Sequence, residues 1–306
     1  MSVRTTAAAV GAVVLVLLAT ACGGSGTGSA AKTTNRPIPA TTPPLPTYQT
    51  RTGVDIASPT LAKATARGHL VVGAKDDQPG LGYLDPATLR RSGFDIEIAR
   101  MVSAALGLDP ATIEFKTIAS VNRETALRDG DVDLYVGTYS ITDERKESVG
   151  FAGPYYISGQ SLLVRADETA ITGMDTLHGR RVCSAKGSTA FHRLQVDFPE
   201  AQAVFDDGYG QCVERLLDGG VDAVSTDDAI LKGYAAREPG SLKVVGEPFT
   251  TEKYGIGLPR ADTVLREAVN AALEANTRDG TWKAAYDATL GMSGVPAPPV
   301  PPIERY

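Results

Sequence analysis

The chain has 306 residues, 42% of them hydrophobic, which is enough to bury one large core or two modest ones. Its formal charge of -6 comes from interspersed acids and bases, so no basic stripe exists to neutralise a nucleic-acid backbone. The three histidines (His69, His178 and His192) stand in no metal-ligand spacing and no Cys-x-x-Cys occurs, so neither a metal nor any other cofactor is expected.

At the N-terminus Arg4 precedes an apolar stretch from Ala7 to Ala19, followed by Thr20-Ala21-Cys22-Gly23-Gly24. This resembles a bacterial lipoprotein signal with its cleavage box, which makes residues 1–21 a signal peptide and Cys22 the lipidated first residue of an exported chain. A membrane anchor is the alternative, but the run is well short of the roughly 20 residues a spanning helix needs. Residues 22–57 are rich in Gly, Ser, Thr, Ala and Pro and read as a disordered tether.

Ordered structure is expected from Ser58, where a helix over 60–67 leads into a strand at 70–74. Further strands are predicted at 112–117, 133–138, 161–165, 181–185, 202–206, 222–225, 242–246 and 254–258, as short runs rich in β-branched residues. Amphipathic helices fill the gaps at 95–107, 121–129, 189–196, 210–218 and 227–236, with two more from 262 to 290. The prolines of the tail, 293–306, can neither continue a helix nor pair in a sheet. Such alternation implies an α/β fold of mostly parallel sheets flanked by helices, with ligands at the carboxyl ends of strands. Thr138 and Asp227 fall at two such ends. In an exported chain Cys183 and Cys212 read as a disulfide, the alternative being two reduced core cysteines.

One segment carries chemistry on its own. Residues 137–145, Gly-Thr-Tyr-Ser-Ile-Thr-Asp-Glu-Arg, end a strand in hydroxylated residues and then supply one arginine. Thr138 and Ser140 can hydrogen-bond one oxygen of a small carboxylate while the planar Arg145 guanidinium meets both in a fork. Read from composition alone, Arg145 belongs to a charged surface turn, and Asp227 is a helix N-cap with Asp228 beside it.

Gly93-Phe-Asp-Ile-Glu-Ile-Ala99, Ser140-Ile-Thr-Asp-Glu-Arg145, Phe151-Ala-Gly-Pro-Tyr155, Gly187-Ser-Thr189 and Asp222-Ala-Val-Ser-Thr-Asp227, in this order and spacing, resemble the polar amino-acid solute-binding proteins of ABC importers. The run Lys75-Asp-Asp-Gln-Pro-Gly-Leu-Gly82 is most similar to actinobacterial glutamate-binding lipoproteins. The resemblance implies a two-lobed periplasmic-binding-protein type II fold joined by a two-strand hinge. The first lobe would be built from 58–158 and 251–292 and the second from 159–250, with crossings near Ser158 and Thr251. It further implies that Arg145, Thr138 and Ser140 hold the α-carboxylate. From the other lobe, Ser188 and Thr189 add donors at a helix N-terminus, and Asp227 accepts the α-ammonium.

In related aspartate and glutamate binders basic residues at two further places hold a distal carboxylate, and here those places carry Lys75 and Arg123. Lys75 could instead pair locally with Asp76 and Asp77, and Arg123 with Glu124 and Asp129; Ser120 binds ligand or caps its helix. Tyr83 and Tyr209 are candidate cleft walls, and Lys186 a residue of the cleft mouth. The expected protein is a monomeric, lipid-anchored binding protein on the outer face of the cytoplasmic membrane. It would capture glutamate or aspartate for a permease and would not be an enzyme. The alternatives are a glutamine or asparagine binder, a lipoprotein presenting ligand to a sensor, and a cyclohexadienyl-dehydratase-like enzyme. A serine hydrolase is set aside because no Gly-x-Ser-x-Gly elbow occurs.

Overall fold

The structure, a computed structural model, describes residues 43–306. The expected signal peptide, the lipidated Cys22 and the tether up to residue 42 lie outside the described residues.

Two five-stranded sheets organise the chain. The first has the strand order Glu114–Thr117, Val71–Ala74, Leu134–Tyr135, Glu252–Leu258, Gly150–Ser158. Its first three strands run parallel, and the last two are antiparallel to each other and paired through much of their length. The second sheet repeats this scheme with Gln202–Asp206, Arg181–Ala185 and Ala223–Asp227 in parallel, then Gln160–Arg165 and Leu242–Val245 antiparallel. Each sheet is therefore mixed, and parallel only over the half that carries crossover helices. Val71–Ala74 is buried on both faces, which is why it reads as a continuous apolar run.

The chain passes from the first sheet to the second between Ser158 and Gln160 and returns between Val245 and Glu252. Two lobes result, the first containing sequence from both ends of the ordered region. On the first-lobe side the crossing strands are anchored in an aromatic cluster. Phe94 meets Trp282 edge-on with ring centroids 5.3 Å apart, Trp282 stacks on Tyr286 at 5.7 Å, and the Trp282 indole donates to the Tyr155 carbonyl at 2.9 Å. Tyr155, Tyr156 and Tyr254 of the paired crossing strands join the same cluster. Such contacts contribute about 0.5–1.5 kcal/mol each beyond area burial.

Sequence patterning does not foresee the strand Gly150–Ser158, because Gly153 and Pro154 interrupt it and normally argue against a strand. The structure tolerates them because this strand is the edge of its sheet and its pairing with Glu252–Leu258 shifts register in a bulge at Gly153 and Pro154. The proline-rich tail covers that edge: Phe151 N–H donates to the Tyr306 hydroxyl at 2.7 Å and Glu304 N–H to the Gly153 carbonyl at 2.8 Å. Residues 48–56, placed in the tether by composition, also lie against the first lobe. Tyr48 donates to Glu97 at 2.8 Å, and Val54 and Ile56 supply the apolar surface that composition alone undervalued. The small sheet of Asp77–Gln78, Gly82–Leu84 and Arg91–Ser92 went unpredicted because strands of two or three residues carry no periodicity.

Cys183 and Cys212 form a disulfide, both fully buried, which ties the strand Arg181–Ala185 to the helix Tyr209–Leu217. Closing a loop of 29 residues should contribute about 3–4 kcal/mol. Replacing both cysteines by serine is therefore expected to lower the unfolding free energy by about that amount, or by more because two hydroxyls are buried, measured by denaturant unfolding.

Candidate ligand-binding site

Between the lobes lies a small, tight chamber lined by Ser120, Arg123, Thr138, Ser140, Arg145, Ser188, Thr189, Tyr209, Asp227 and Ile230. Eight of the nine ligand residues named from sequence line it: Ser120, Arg123, Thr138, Ser140 and Arg145 from the first lobe, and Ser188, Thr189 and Asp227 from the second. Lys75 is the exception and sits behind Ser120.

First-lobe residues reach the chamber from the ends of strands. Thr138 follows Leu134–Tyr135 and adopts a φ of +47, a left-handed conformation that costs of order 1 kcal/mol for a non-glycine residue. Its amide donates to Asp95 at 3.1 Å and its hydroxyl to Gln78 at 3.1 Å, which hold it there. Asp95 also accepts from the Tyr155 hydroxyl at 2.7 Å, and burial pushes its carboxyl up to about 6. Arg145 begins from the short helix Asp143–Lys146, capped by Thr142, and folds inward to donate to the Ser140 carbonyl at 2.8 Å. Glu124 lies 3.3 Å from Arg145 Nε and accepts from Tyr139 at 2.7 Å. Burial and the nearby Arg123 lower the Arg145 guanidinium to about 10. It is thus an inward-facing cation, not a residue of a surface turn.

Arg123 opens the helix Arg123–Asp129 and is only 2% exposed. Its guanidinium lies 4.2 Å from the Tyr139 ring centroid and donates to two carbonyls, Ser120 at 2.9 Å and Gly187 at 3.1 Å. Neither Glu124 nor Asp129 pairs with it. Among the described residues Arg123 has no carboxylate partner. Lys75, 4% exposed, likewise makes no ion pair with Asp76 or Asp77; its ammonium donates to the Ser120 hydroxyl at 2.8 Å. Burial first, and Arg123 second, push the Lys75 ammonium down to about 7.

The second lobe supplies the opposite charge. Asp227 ends the strand Ala223–Asp227 at the N-cap position of the helix Asp228–Arg237, yet its side chain caps nothing. It accepts from the Tyr254 hydroxyl at 2.6 Å instead. Asp228 is occupied elsewhere, by the Ser158 hydroxyl at 2.6 Å and by Lys232. Burial, with Glu252 nearby, pushes the Asp227 carboxyl up to about 7. Ser188 caps the helix Thr189–Asp197 by accepting from Phe191 N–H at 3.0 Å, and Thr189 donates to Glu252 at 3.1 Å. Tyr209 is a chamber wall, whereas Tyr83 lies under Arg237 away from it and Lys186 lines the outer groove beside Gly187.

The lobes also meet directly. The Gly187 carbonyl accepts from both Arg123 and, at 3.2 Å, Arg145. Its φ of +78 and a distance of 2.6 Å from a would-be Cβ to the Val121 Cα leave room for glycine alone. Across the junction Asp77 accepts from Gly210 N–H at 2.9 Å, and Tyr234 donates to the Asp77 carbonyl. Gly233 of the second lobe lies so close to Pro79 that a Cβ would stand 2.2 Å from its carbonyl oxygen. Asp95, Glu252 and Tyr254 were unforeseen as partners of the site. The only sequence hint was Asp95 within the Gly93-Phe-Asp motif.

Two mixed sheets joined by paired strands, with a charged chamber between them, define a type II periplasmic binding protein, as structural neighbours of this chain show. The profile of bacterial extracellular solute-binding proteins, family 3, matches residues 70–292, and the chain belongs to that family. The glutamate-binding protein GluB of Corynebacterium efficiens is 41% identical over 241 residues, covering 76% of this chain and 82% of that one. The ABC transporter glutamine-binding protein GlnH of Bacillus subtilis is 34% identical over 227 residues, covering 74% and 83%. Among solved structures, the ancestral amino acid-binding protein AncCDT-1, a precursor of cyclohexadienyl dehydratase, superposes with a TM-score of 0.69 at 28% identity, covering 76% of this chain and 100% of that one.

An acid raised to about 7 stays protonated in the folded chain where the unfolded chain has already lost its proton, so Asp227 withdraws stability as pH climbs from its unfolded value of 3.8 to about 7. A cation placed beside it reverses the preference and expels the proton. Binding of an ammonium-bearing ligand should therefore weaken by up to about tenfold per pH unit below about pH 7, and Asp227→Asn should bind more weakly with that slope removed, both measured by calorimetry across pH.

Proposed function

We propose that this protein is the substrate-binding component of an ABC amino-acid importer, that it takes glutamate or aspartate, and that it delivers the ligand to a permease. The observation that carries the reading is the buried Arg123, which has no carboxylate partner among the described residues and lines the same chamber as Arg145 and Asp227. An uncompensated buried cation costs several kcal/mol, and a ligand carboxylate offsets that cost. Asp227, equally without a cation, suits the α-ammonium, and Arg145 with the donors of Thr138, Ser140, Ser188 and Thr189 suits the α-carboxylate. A dicarboxylic amino acid thus brings two anionic groups to the arginines and one cationic group to Asp227. The similarity to a glutamate-binding protein supports this choice, and the lesser similarity to a glutamine-binding one names its rival.

Lipid attachment at Cys22 to the outer face of the cytoplasmic membrane belongs to the same reading and rests on the signal-like N-terminus. A second reading draws on the raised Asp227 and Asp95 carboxyls, since a dehydratase needs a protonated acid near its substrate. Incubation with prephenate or arogenate, followed by ultraviolet detection of an aromatic product, separates the two; the binding-protein reading expects none.

Calorimetry against glutamate, aspartate, glutamine and asparagine is expected to give roughly micromolar affinity for an acidic ligand and at least roughly tenfold weaker binding of its amide. Tighter binding of glutamine than of glutamate would overturn the assignment. Closure of the lobes over the ligand has its own test. Gly233→Ala puts a methyl against the Pro79 carbonyl while removing a helix-interior glycine, a change that by itself stabilises by about 0.5–1 kcal/mol. The variant should melt no lower than the parent without ligand and yet bind at least roughly tenfold more weakly.

A further inference from the structure

We propose that Lys75 sets ligand selectivity without touching the ligand, by locking the Ser120 hydroxyl as a hydrogen-bond donor into the chamber, so that the distal end of the ligand must present an acceptor there. The inference rests on the reading of the chamber as an amino-acid site and concerns how acid is told from amide.

An ammonium only donates, and Lys75 Nζ stands 2.8 Å from Ser120 Oγ, so one lone pair of that hydroxyl is committed. Both residues are buried, at 4% and 2% exposure, and Ser120 lines the chamber while Lys75 does not. The hydroxyl hydrogen is repelled by the ammonium behind it and is left for the ligand. Beside it stands Arg123, a donor at every nitrogen, which also lines the chamber and has donors to spare beyond the bonds to the Ser120 and Gly187 carbonyls. The two groups form a wall of donors. Both oxygens of a carboxylate are satisfied by such a wall. An amide can turn its oxygen toward one donor only by setting its NH2 against the other, which leaves a buried donor unpaired.

Titration of Lys75 should release the lock. Burial and Arg123 hold its ammonium at about 7, against the opposing pull of Asp77 and Asp76 and with a further push from Arg145; Asp95 also faces it. Once neutral, the amine can accept, the Ser120 hydroxyl can turn toward it, and the lone pairs of Ser120 face the ligand instead. Asp227 titrates in the same range, but glutamate and glutamine share the head group it meets, so its effect cancels in their affinity ratio.

The test is the ratio of glutamine to glutamate dissociation constants, measured by calorimetry on the full chain and on Lys75→Met, Ser120→Ala and the double variant. The ratio is expected to fall roughly tenfold in Lys75→Met, by a similar factor in Ser120→Ala, and no further in the double variant. In the parent it should also decline between about pH 6 and about pH 9, an arm that needs no variant to fold. An unchanged ratio in Lys75→Met, or an equal fall when Ser120 is already alanine, overturns the lock and leaves the glutamate reading standing. Failure of the parent to bind either ligand overturns both.

Discussion

Uncompensated burial of charge on both faces of one chamber is the constraint around which this molecule is arranged. Arg123 and Lys75 on the first lobe and Asp227 on the second are each almost fully enclosed, and none has an opposite charge as a direct partner among the described residues. Such groups are costly alone and become favourable once a counter-charge arrives. The cost shows in the displaced protonation of Lys75 and Asp227, both brought close to neutrality by removal from water. In the proposed function the ligand is that counter-charge. Because its carboxylates answer arginines of the first lobe and its ammonium answers Asp227 of the second, the energy of binding is also the energy of closure.

The rest of the fold serves to hold those charges where solvent cannot screen them. Tyr254 and Tyr155 stand in the paired crossing strands, with rings in the aromatic cluster and hydroxyls extended to Asp227 and Asp95. The same strands therefore join the lobes and orient the acids. On the opposite side, stacking on Tyr139 fixes the plane of the Arg123 guanidinium, and the Gly187 carbonyl draws both arginines toward the second lobe. Small residues at Gly187 and Gly233 let backbone meet backbone across the junction, which side chains would prevent. The disulfide anchors the helix whose first residue, Tyr209, is a chamber wall.

Much of this was legible residue by residue. Strand Val71–Ala74 announced itself by its apolar run, and the helix Thr189–Asp197 by its amphipathic pattern. The amino-acid head-group residues were named through the resemblance to polar amino-acid solute-binding proteins, since composition alone reads Arg145 as part of a charged turn and Asp227 as a helix cap. The crossing strand Gly150–Ser158 was hidden because Gly and Pro usually break strands, and only its bulged edge position, covered by Glu304 and Tyr306, makes them tolerable. The packing of Tyr48 on Glu97 was hidden as well, since composition averages over a segment and cannot weigh one well-placed tyrosine.

The sequence by itself determined which groups of each charge the protein owns and the order of elements that carries them, because propensity, patterning and capping act within a few residues. Tertiary structure alone decided which of those groups face each other. Asp227 and not Asp228 turns inward because Ser158 and Lys232 hold the latter, and Lys75 meets Ser120 instead of the adjacent Asp76 or Asp77. These outcomes turn on partners tens of residues away and on exclusion of water, a property of the closed volume that no single stretch of chain possesses.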